Sequence, residues 1–454
     1  MQRVQRHMAI RTIIMGLFLT FLPMITPAAD RLADSAQTDL KSKVSQLIEQ
    51  LNAETRKQRA LAQKELLRLG PGVLPLLPPP ELTPNAEVRD AVGRIRGALE
   101  RRQALDSVRP SRITFEGTVA VDEFLRAISQ QTGNRLDFAR LPVETQRLRL
   151  TTAYKQQPFW EVIDDLGGRA NLTYDRQSVS DRLKLISSQD ADQTAEIAVA
   201  YSGPFRIAVT SARLRGAANI DSVRIARLNY QLTAEPRLRP LFLKYRGRDF
   251  SAASATGHRF GPFSPDARLE IPLGEGGRQL TLHSDFKVPA TLKPQTINFR
   301  GRMTMTTAAG TERIIFTRLR QAQGVARRRG GVTLKLQQVS FQGGPDEGWQ
   351  ARIRVAVSYD TGGRAFESHR TWVFHNHVYL LAKDGRRVKR DSAFHTALER
   401  DGAVSVEYKF RNLGGDLDNY RFVYVAPTLI VDVPIEFNIK NIPVSQTSPE
   451  RKQP

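Results

Sequence analysis

From about Ala195 to Ile442 the chain contains no helical run, only short stretches of alternating apolar and polar residues cut by Gly, Pro and Asp. Successive side chains of a strand point to opposite faces, so this alternation reads as half-buried strand. One set comprises Phe205–Val209, Val223–Leu232, Leu241–Tyr245, Leu269–Ile271, Leu280–Leu282, Thr296–Met305 and Ile314–Leu319. A second comprises Val332–Val339, Trp349–Ser358, His369–Phe374, Val378–Leu381, Val404–Phe410, Phe422–Tyr424 and Thr428–Val433, closed by Phe437–Ile442. Short strands at regular spacing with turn signals between them predict antiparallel sandwiches. Gln321–Gly331, with Arg327-Arg328-Arg329-Gly330-Gly331, reads as the loop that separates them. We expect one sandwich over 193–320, a second over 321–446 and a polar tail over 447–454.

Upstream the texture is different. Ile113–Phe115 alternates like a strand, and Val121, Phe124, Leu125 and Ile128 then fall on one helical face, with Gly133-Asn134 as the stop. The scheme repeats. Leu148 and Leu150 begin a strand, Pro158 starts a helix with Phe159, Val162, Ile163 and Leu166 inward, and Gly167-Gly168 reads as its stop. Leu172–Tyr174 and Arg182–Ser187 resume as strands. Over Arg112–Ser187 this pattern resembles the short N-terminal (STN-like) domain of secretins and TonB-dependent receptors. The resemblance implies a small periplasmic α+β docking module, here a βαβ repeat, assigned to 108–192. No outer-membrane barrel or secretin ring, whose strands would each need about ten residues of lipid-facing alternation, is read after it, so only docking carries over, and not transport or secretion.

Between 44 and 107 the apolar residues recur at helical spacing: Val44, Leu47, Ile48 and Leu51, then Leu61–Leu69, then Val88, Val92, Ile95 and Leu99. The phrase from Ala62 to Gly70-Pro71 resembles a HEAT-like repeat, which implies a helical binding surface. Residues 30–43 read as a polar linker. Before them, Arg3, Arg6 and Arg11 precede the apolar run Ile13–Ile25, and Thr26-Pro27-Ala28-Ala29 offers small residues for cleavage. That is the form of a secretory signal peptide over 1–29, and the run is too short for a span that needs about twenty residues. The protein is therefore expected to be exported, as a periplasmic, cell-envelope-associated or secreted chain with no transmembrane segment once the signal is removed. Signal, HEAT-like helices and terminal sandwiches together resemble large exported proteins of planctomycete-type bacteria. The fold class expected is α+β and multi-domain: helical module, small α+β domain, two antiparallel β-sandwiches.

The absence of Cys excludes thiol nucleophiles and thiolate metal sites. The formal net charge is +22, and 53 of the 68 basic residues are Arg. Guanidinium forks suit bidentate contact with phosphate, sulfate or carboxylate, so an acidic polymer or an envelope protein is the expected partner. Nucleic acid is disfavoured, because aromatics are not interleaved with the basic runs. The named anion contacts are Arg327, Arg328 and Arg329, with Arg386, Arg387, Lys389 and Arg390, although such runs are also common as solvated loops.

His369, His375 and His377 are weak candidates for a metal site, since an unbroken strand places them on one face. Asp164-Asp165 points in two directions on a helix and reads as solvated. Asp416, Asp418 and Asn419 lack the Gly and distal Glu of a calcium loop and read as a turn. No Gly-x-Ser-x-Gly frame is present, no catalytic residue is named and no cofactor is expected. The reading is an exported, non-enzymatic binding or scaffold protein. Its alternatives are a component of an envelope transport, secretion or signalling assembly, and a metal-dependent hydrolase or carbohydrate-active protein.

Overall fold

The computed structural model describes residues 27–78, 85–176, 182–191, 196–217, 220–274, 277–344, 348–359, 376–391, 394–398 and 403–446. The chain is mixed α and β with several antiparallel sheets, and it divides into two units, Met1–Leu99 and Glu100–Pro454. The expected export signal, apart from its last three residues, lies outside the described residues, as do His369 and His375.

In the first unit, α1 (Pro27–Gln50) and α2 (Arg56–Leu69) precede a 3₁₀ turn over Pro71–Leu76, and α3 (Ala86–Ser107) begins after it. Thr55 caps α2 by accepting from the Gln58 N–H at 3.3 Å. Gly70 ends the helix with φ of 83°, a left-handed conformation that favours glycine. Val44, Leu47, Leu66, Val92 and Ile95 are among the residues that close the core. The stretch expected as a linker over 30–43 is instead part of α1. Residues 28–50 contain neither Gly nor Pro, and Leu40 extends the apolar stripe of Val44 and Leu47. Among the described residues no helix is long and apolar enough to cross a membrane.

The second unit opens with an α+β lobe: β1 (Arg112–Ala120), α4 (Val121–Thr132), β2 (Leu136–Asp137), α5 (Val143–Arg147), β3 (Arg149–Pro158), α6 (Phe159–Ala170), β4 (Leu172–Tyr174) and β5 (Leu183–Ser187). β1 pairs antiparallel with β3, and β5 lies between a parallel β2 and an antiparallel β4. The helical faces expected from spacing are the buried ones: Phe124, Leu125 and Ile128 of α4 meet Phe159, Val162 and Leu166 of α6. α4 stops at Gly133, with φ of 69°. α6 does not stop at Gly167-Gly168 but runs on to a left-handed Asn171. Gly167 serves packing instead, because a Cβ there would sit 2.8 Å from the Leu172 carbonyl oxygen.

The body that follows comprises β6 (Ala198–Ser202), β7 (Phe205–Ala217), β8 (Ile220–Ala234), β9 (Arg239–Arg246), β10 (Phe250–Ser254), β11 (Arg259–Phe260), β12 (Arg268–Pro272), β13 (Gln279–Pro289) and β14 (Thr296–Phe316). It continues through β15 (Ala326–Arg329), β16 (Val332–Gly344), β17 (Gly348–Tyr359), β18 (His377–Ala382), β19 (Arg387–Lys389), β20 (Phe394–Leu398), β21 (Ala403–Leu413), β22 (Tyr420–Pro443) and β23 (Ser445–Gln446). One sheet runs β11-β10-β14-β22-β18-β19, with β9 beside β14 and β12 beside β9. A second runs β13-β8-β7-β23 with β6 on β7, and a third runs β15-β16-β17-β21-β20.

The first sheet supplies both cores. Its β14 is 21 residues long. Its β22 is longer still, at 24 residues. An ordinary strand has about five or six residues. The two pair from Thr296↔Pro443 to Phe316↔Phe422. One end, with Phe299, Met303, Ile435 and Phe437, packs on the second sheet through Phe205, Tyr230 and Phe286. The other end, with Ile314, Phe316, Phe422 and Tyr424, packs on the third sheet through Leu334, Val355 and Tyr408. A cut at residue 320 therefore does not separate the cores, because β22 belongs to both. Each of Phe422–Tyr424 and Thr428–Val433, expected as a strand of its own, is a piece of this one strand.

The segment expected as a boundary loop contains β15, an exposed edge strand carrying Arg327, Arg328 and Arg329. Gly330 and Gly331, both at positive φ, make the two-residue turn that pairs Arg329 with Val332. The turn expected at Asp384-Gly385 joins β18 to β19. Gly385 has φ of 86°, and the Asp384 carboxylate accepts from the Arg386 N–H at 2.9 Å.

Candidate anion-binding cleft

Residues paired across neighbouring strands project to the same face of a sheet. On the long sheet Arg313 pairs with Val425, and Val425 pairs with His377. One step along, Tyr379 lies between Val423 and Lys389. Arg387, two residues from Lys389, shares its face. The alternate residues of β22, Phe422, Tyr424 and Ala426, fill the core beneath. The row Arg313-Val425-His377 therefore faces away from that core.

These residues form part of a cavity of about 990 Å³. Its other walls come from Gly133 and Arg135 of the lobe, from Pro236–Leu238 between β8 and β9, from Arg239–Leu241 at the start of β9, and from Leu273, Gly274, Gly277 and Arg278 between β12 and β13. Arg135, Arg237, Arg239 and Arg278 on these walls join Arg313, Arg387, Lys389 and Arg390. Asp391 is the single carboxylate among the described lining residues, and Arg411, outside the cavity, holds it at 2.7 Å. The described lining thus holds eight cationic side chains, one of them, Arg237, paired with the buried Glu235, against one acid that is already compensated. Like charges gathered in a low-dielectric cleft focus its field on an incoming anion.

Several of these guanidinium groups are held in place by other groups of the chain. Arg239 donates to the Asn376 side-chain oxygen at 2.6 Å, and Asn376 donates in turn to the Tyr424 hydroxyl at 2.7 Å. Burial pushes the Tyr424 phenol up to about 12, so it stays neutral at physiological pH. Arg278 donates to the Arg182 carbonyl at 2.7 Å. The Arg387 guanidinium lies 5.0 Å from the Tyr379 ring centre, within cation–π reach. Side chains fixed in this way lose little rotamer freedom when they bind. Arg313, Arg387 and Lys389 are exposed, and no carboxylate among the described residues pairs with them.

Two buried networks hold the lobe against the body and so set one wall of the cavity. In the first, Glu235 is fully buried and accepts from the Ser111 N–H at 2.9 Å, the Ser111 hydroxyl at 2.7 Å, Asn134 at 3.3 Å and Arg237 at 2.7 Å. Arg237 also donates to the carbonyls of Ser107 and Arg109. In the second, Arg206 reaches Asp164 at 2.8 Å and Glu196 at 2.5 Å, and the Tyr201 hydroxyl also donates to Asp164. Burial alone would raise the Glu196 carboxyl; the hydrogen bonds and charge of Arg206, with the charge of Arg176, outweigh it and hold the group below the ordinary carboxylate range. Trp160, buried in the core of the lobe, donates its indole N–H to the Pro204 carbonyl at 3.1 Å. Asp164 departs from the solvated position that helical spacing gives it. It is drawn into the seam because β7 brings Arg206 to it, whereas Asp165 stays exposed near Arg169.

Of the residues named from sequence, Arg387, Lys389 and Arg390 line the cavity, and Arg386 and Arg327–Arg329 do not. Arg135, Arg237, Arg239, Arg278 and Arg313 escape sequence reasoning, because none of them belongs to a basic run. The phrase Pro236-Arg237-Leu238-Arg239-Pro240 is the available signal, since two prolines bracket two arginines at strand spacing. His377 lines the same cavity. Among the described residues no group of three or more His, Asp or Glu could hold a metal ion. Asp416 accepts from the Asp418 N–H at 2.9 Å and caps a turn. Comparison with known protein families and with characterised proteins returns no match to this chain.

Proposed function

We propose that this is an exported, non-enzymatic binding protein that works by holding an anionic partner in the cleft of its second unit. The observation that carries the reading is the lining itself: eight cations drawn from the lobe, two loops and the long sheet converge on one concavity with a single neutralised acid among its described residues. The lobe contributes as a docking-type element. Its resemblance to the STN-like domain supports a place at the cell envelope, and the signal-like N-terminus supports export. The seven arginines of the cleft favour oxyanions, because the planar fork donates two parallel hydrogen bonds to carboxylate, sulfate or phosphate. No acid, base and nucleophile converge there among the described residues, which favours contact over chemistry.

The test is retention of purified protein on immobilised polyanions at rising salt. Binding that weakens steeply between about 50 and about 500 mM salt, on the order of tenfold or more, is the expected result, since exposed charges are screened within about a Debye length. Binding indifferent to salt, or no binding at all, would overturn the reading.

A further inference from the structure

We infer that the cleft takes a segment of an acidic polysaccharide, a linear saccharide chain bearing carboxylate or sulfate groups. This rests on the anion-binding reading and narrows it. Three features of the site select among polyanions. First, the floor groups that can meet an anion are spread along a line rather than gathered at a point. Arg313, His377 and Lys389 stand on β14, β18 and β19, with β22 between the first two. Adjacent strands lie roughly 5 Å apart, so two strand steps separate Arg313 from His377, and Lys389 lies one strand step further and two residues along, opposite Tyr379. A line of such groups matches a chain with repeating charges better than one compact anion.

Second, the described residues of the cleft offer no platform for bases. Single-stranded nucleic acid is held by aromatic faces on which successive bases stack. The aromatic ring on the cleft floor is Tyr379, and the Arg387 guanidinium already covers it at 5.0 Å.

Third, the middle of the floor is a sheet face. The backbone groups of β22 are paired on both sides, with β14 and β18, so an acidic peptide finds no free N–H or C=O ladder there, and the sheet edge at β19 is three residues long. A concave site recessed between lobe and body also does not suit a flat anionic bilayer. A saccharide chain needs neither a stacking face nor a backbone ladder. Its oxyanions meet the exposed Arg313 and Lys389, and its hydroxyl groups can donate to carbonyls and accept from the fixed Arg239 and Arg278 on the walls.

The test uses the full mature chain and isothermal titration at low salt with four probes: an oligouronate, a sulfated oligosaccharide, inorganic polyphosphate and single-stranded DNA. Neutral dextran serves as control. Saturable binding of either acidic saccharide, with at least tenfold preference over DNA, is expected. Arg313→Glu with Lys389→Glu should weaken it by tenfold or more, and Arg327→Glu with Arg328→Glu, on the separate edge strand, should change it less than twofold. Binding of polyphosphate or DNA without either saccharide would sink the polysaccharide assignment and leave anion binding standing. Absence of binding to all four would sink both. Equal weakening by the two double variants would remove the cleft as the site. Unfolding of the cleft variant, checked by circular dichroism, is bypassed by Arg313→Gln with Lys389→Gln, for which a severalfold loss is expected and an unchanged affinity overturns the claim.

Discussion

Arg206 and Arg313 are the same residue in opposite circumstances. Arg206, in the seam, is almost fully buried and meets two carboxylates, Asp164 and Glu196; Arg313, in the cleft, is exposed and meets none among the described residues. Burial opposes the charge of Arg206, yet the Glu196 hydrogen bonds and the nearby charges leave its proton held more tightly than in water. The comparison separates two uses of arginine in a chain so rich in it. Where carboxylates converge, the guanidinium fixes one part of the fold against another. Where they are missing and the surface is concave, the positive charge is left available to a partner. Arg237 stands between the two cases, bound by Glu235 on one side and facing the cavity on the other.

The largest effect that could break this distinction belongs to the seam. Glu235→Ala leaves Arg237 partly buried without its carboxylate, and we expect a loss of about 3–5 kcal/mol in urea unfolding at neutral pH; a loss comparable to that of a surface substitution would show that the network holds nothing. Smaller is Trp160→Phe, which keeps the ring packing but removes the hydrogen bond to Pro204, for about 1 kcal/mol in the same assay. Acid provides a third test. The Glu196 carboxyl titrates below its ordinary 4.5 in the folded chain, so its ion pair contributes stability above that pH and the contribution is lost as pH falls through the lowered value. Unfolding midpoints should therefore drop on acidification below 4.5, and less so in Arg206→Met; parallel curves for both proteins would count against the pairing. Smallest of all, Arg313→Gln and Lys389→Gln should change stability by no more than about 0.5 kcal/mol while weakening polyanion binding, which places these residues on the functional side of the comparison.

Much of the lobe was legible because its information is local. The faces of α4 and α6 follow from residues three and four apart, and Gly133 marks a stop that needs a left-handed residue. Gly167 misled for the opposite reason: its role is set by the Leu172 carbonyl that packs against it, a neighbour that helical spacing does not reveal. The same limit applied to β14 and β22. Small residues such as Ala308 and Gly310 resemble breaks along the chain, but Gly310 is continuous strand closely packed beside Thr428, and only the paired strand shows this.

By itself the sequence determined where helices give way to strands, which residues turn inward, and that the chain carries a large excess of guanidinium groups. Each of these depends on a residue and its near neighbours. Which arginines meet carboxylates and which gather in the cleft was decided by tertiary structure. Arg135, Arg239, Arg278, Arg313 and Lys389 come from segments far apart in the chain, and only sheet register and the docking of the lobe bring them to one cavity. Electrostatic interaction depends on distance in space, and distance along the chain carries almost none of that information.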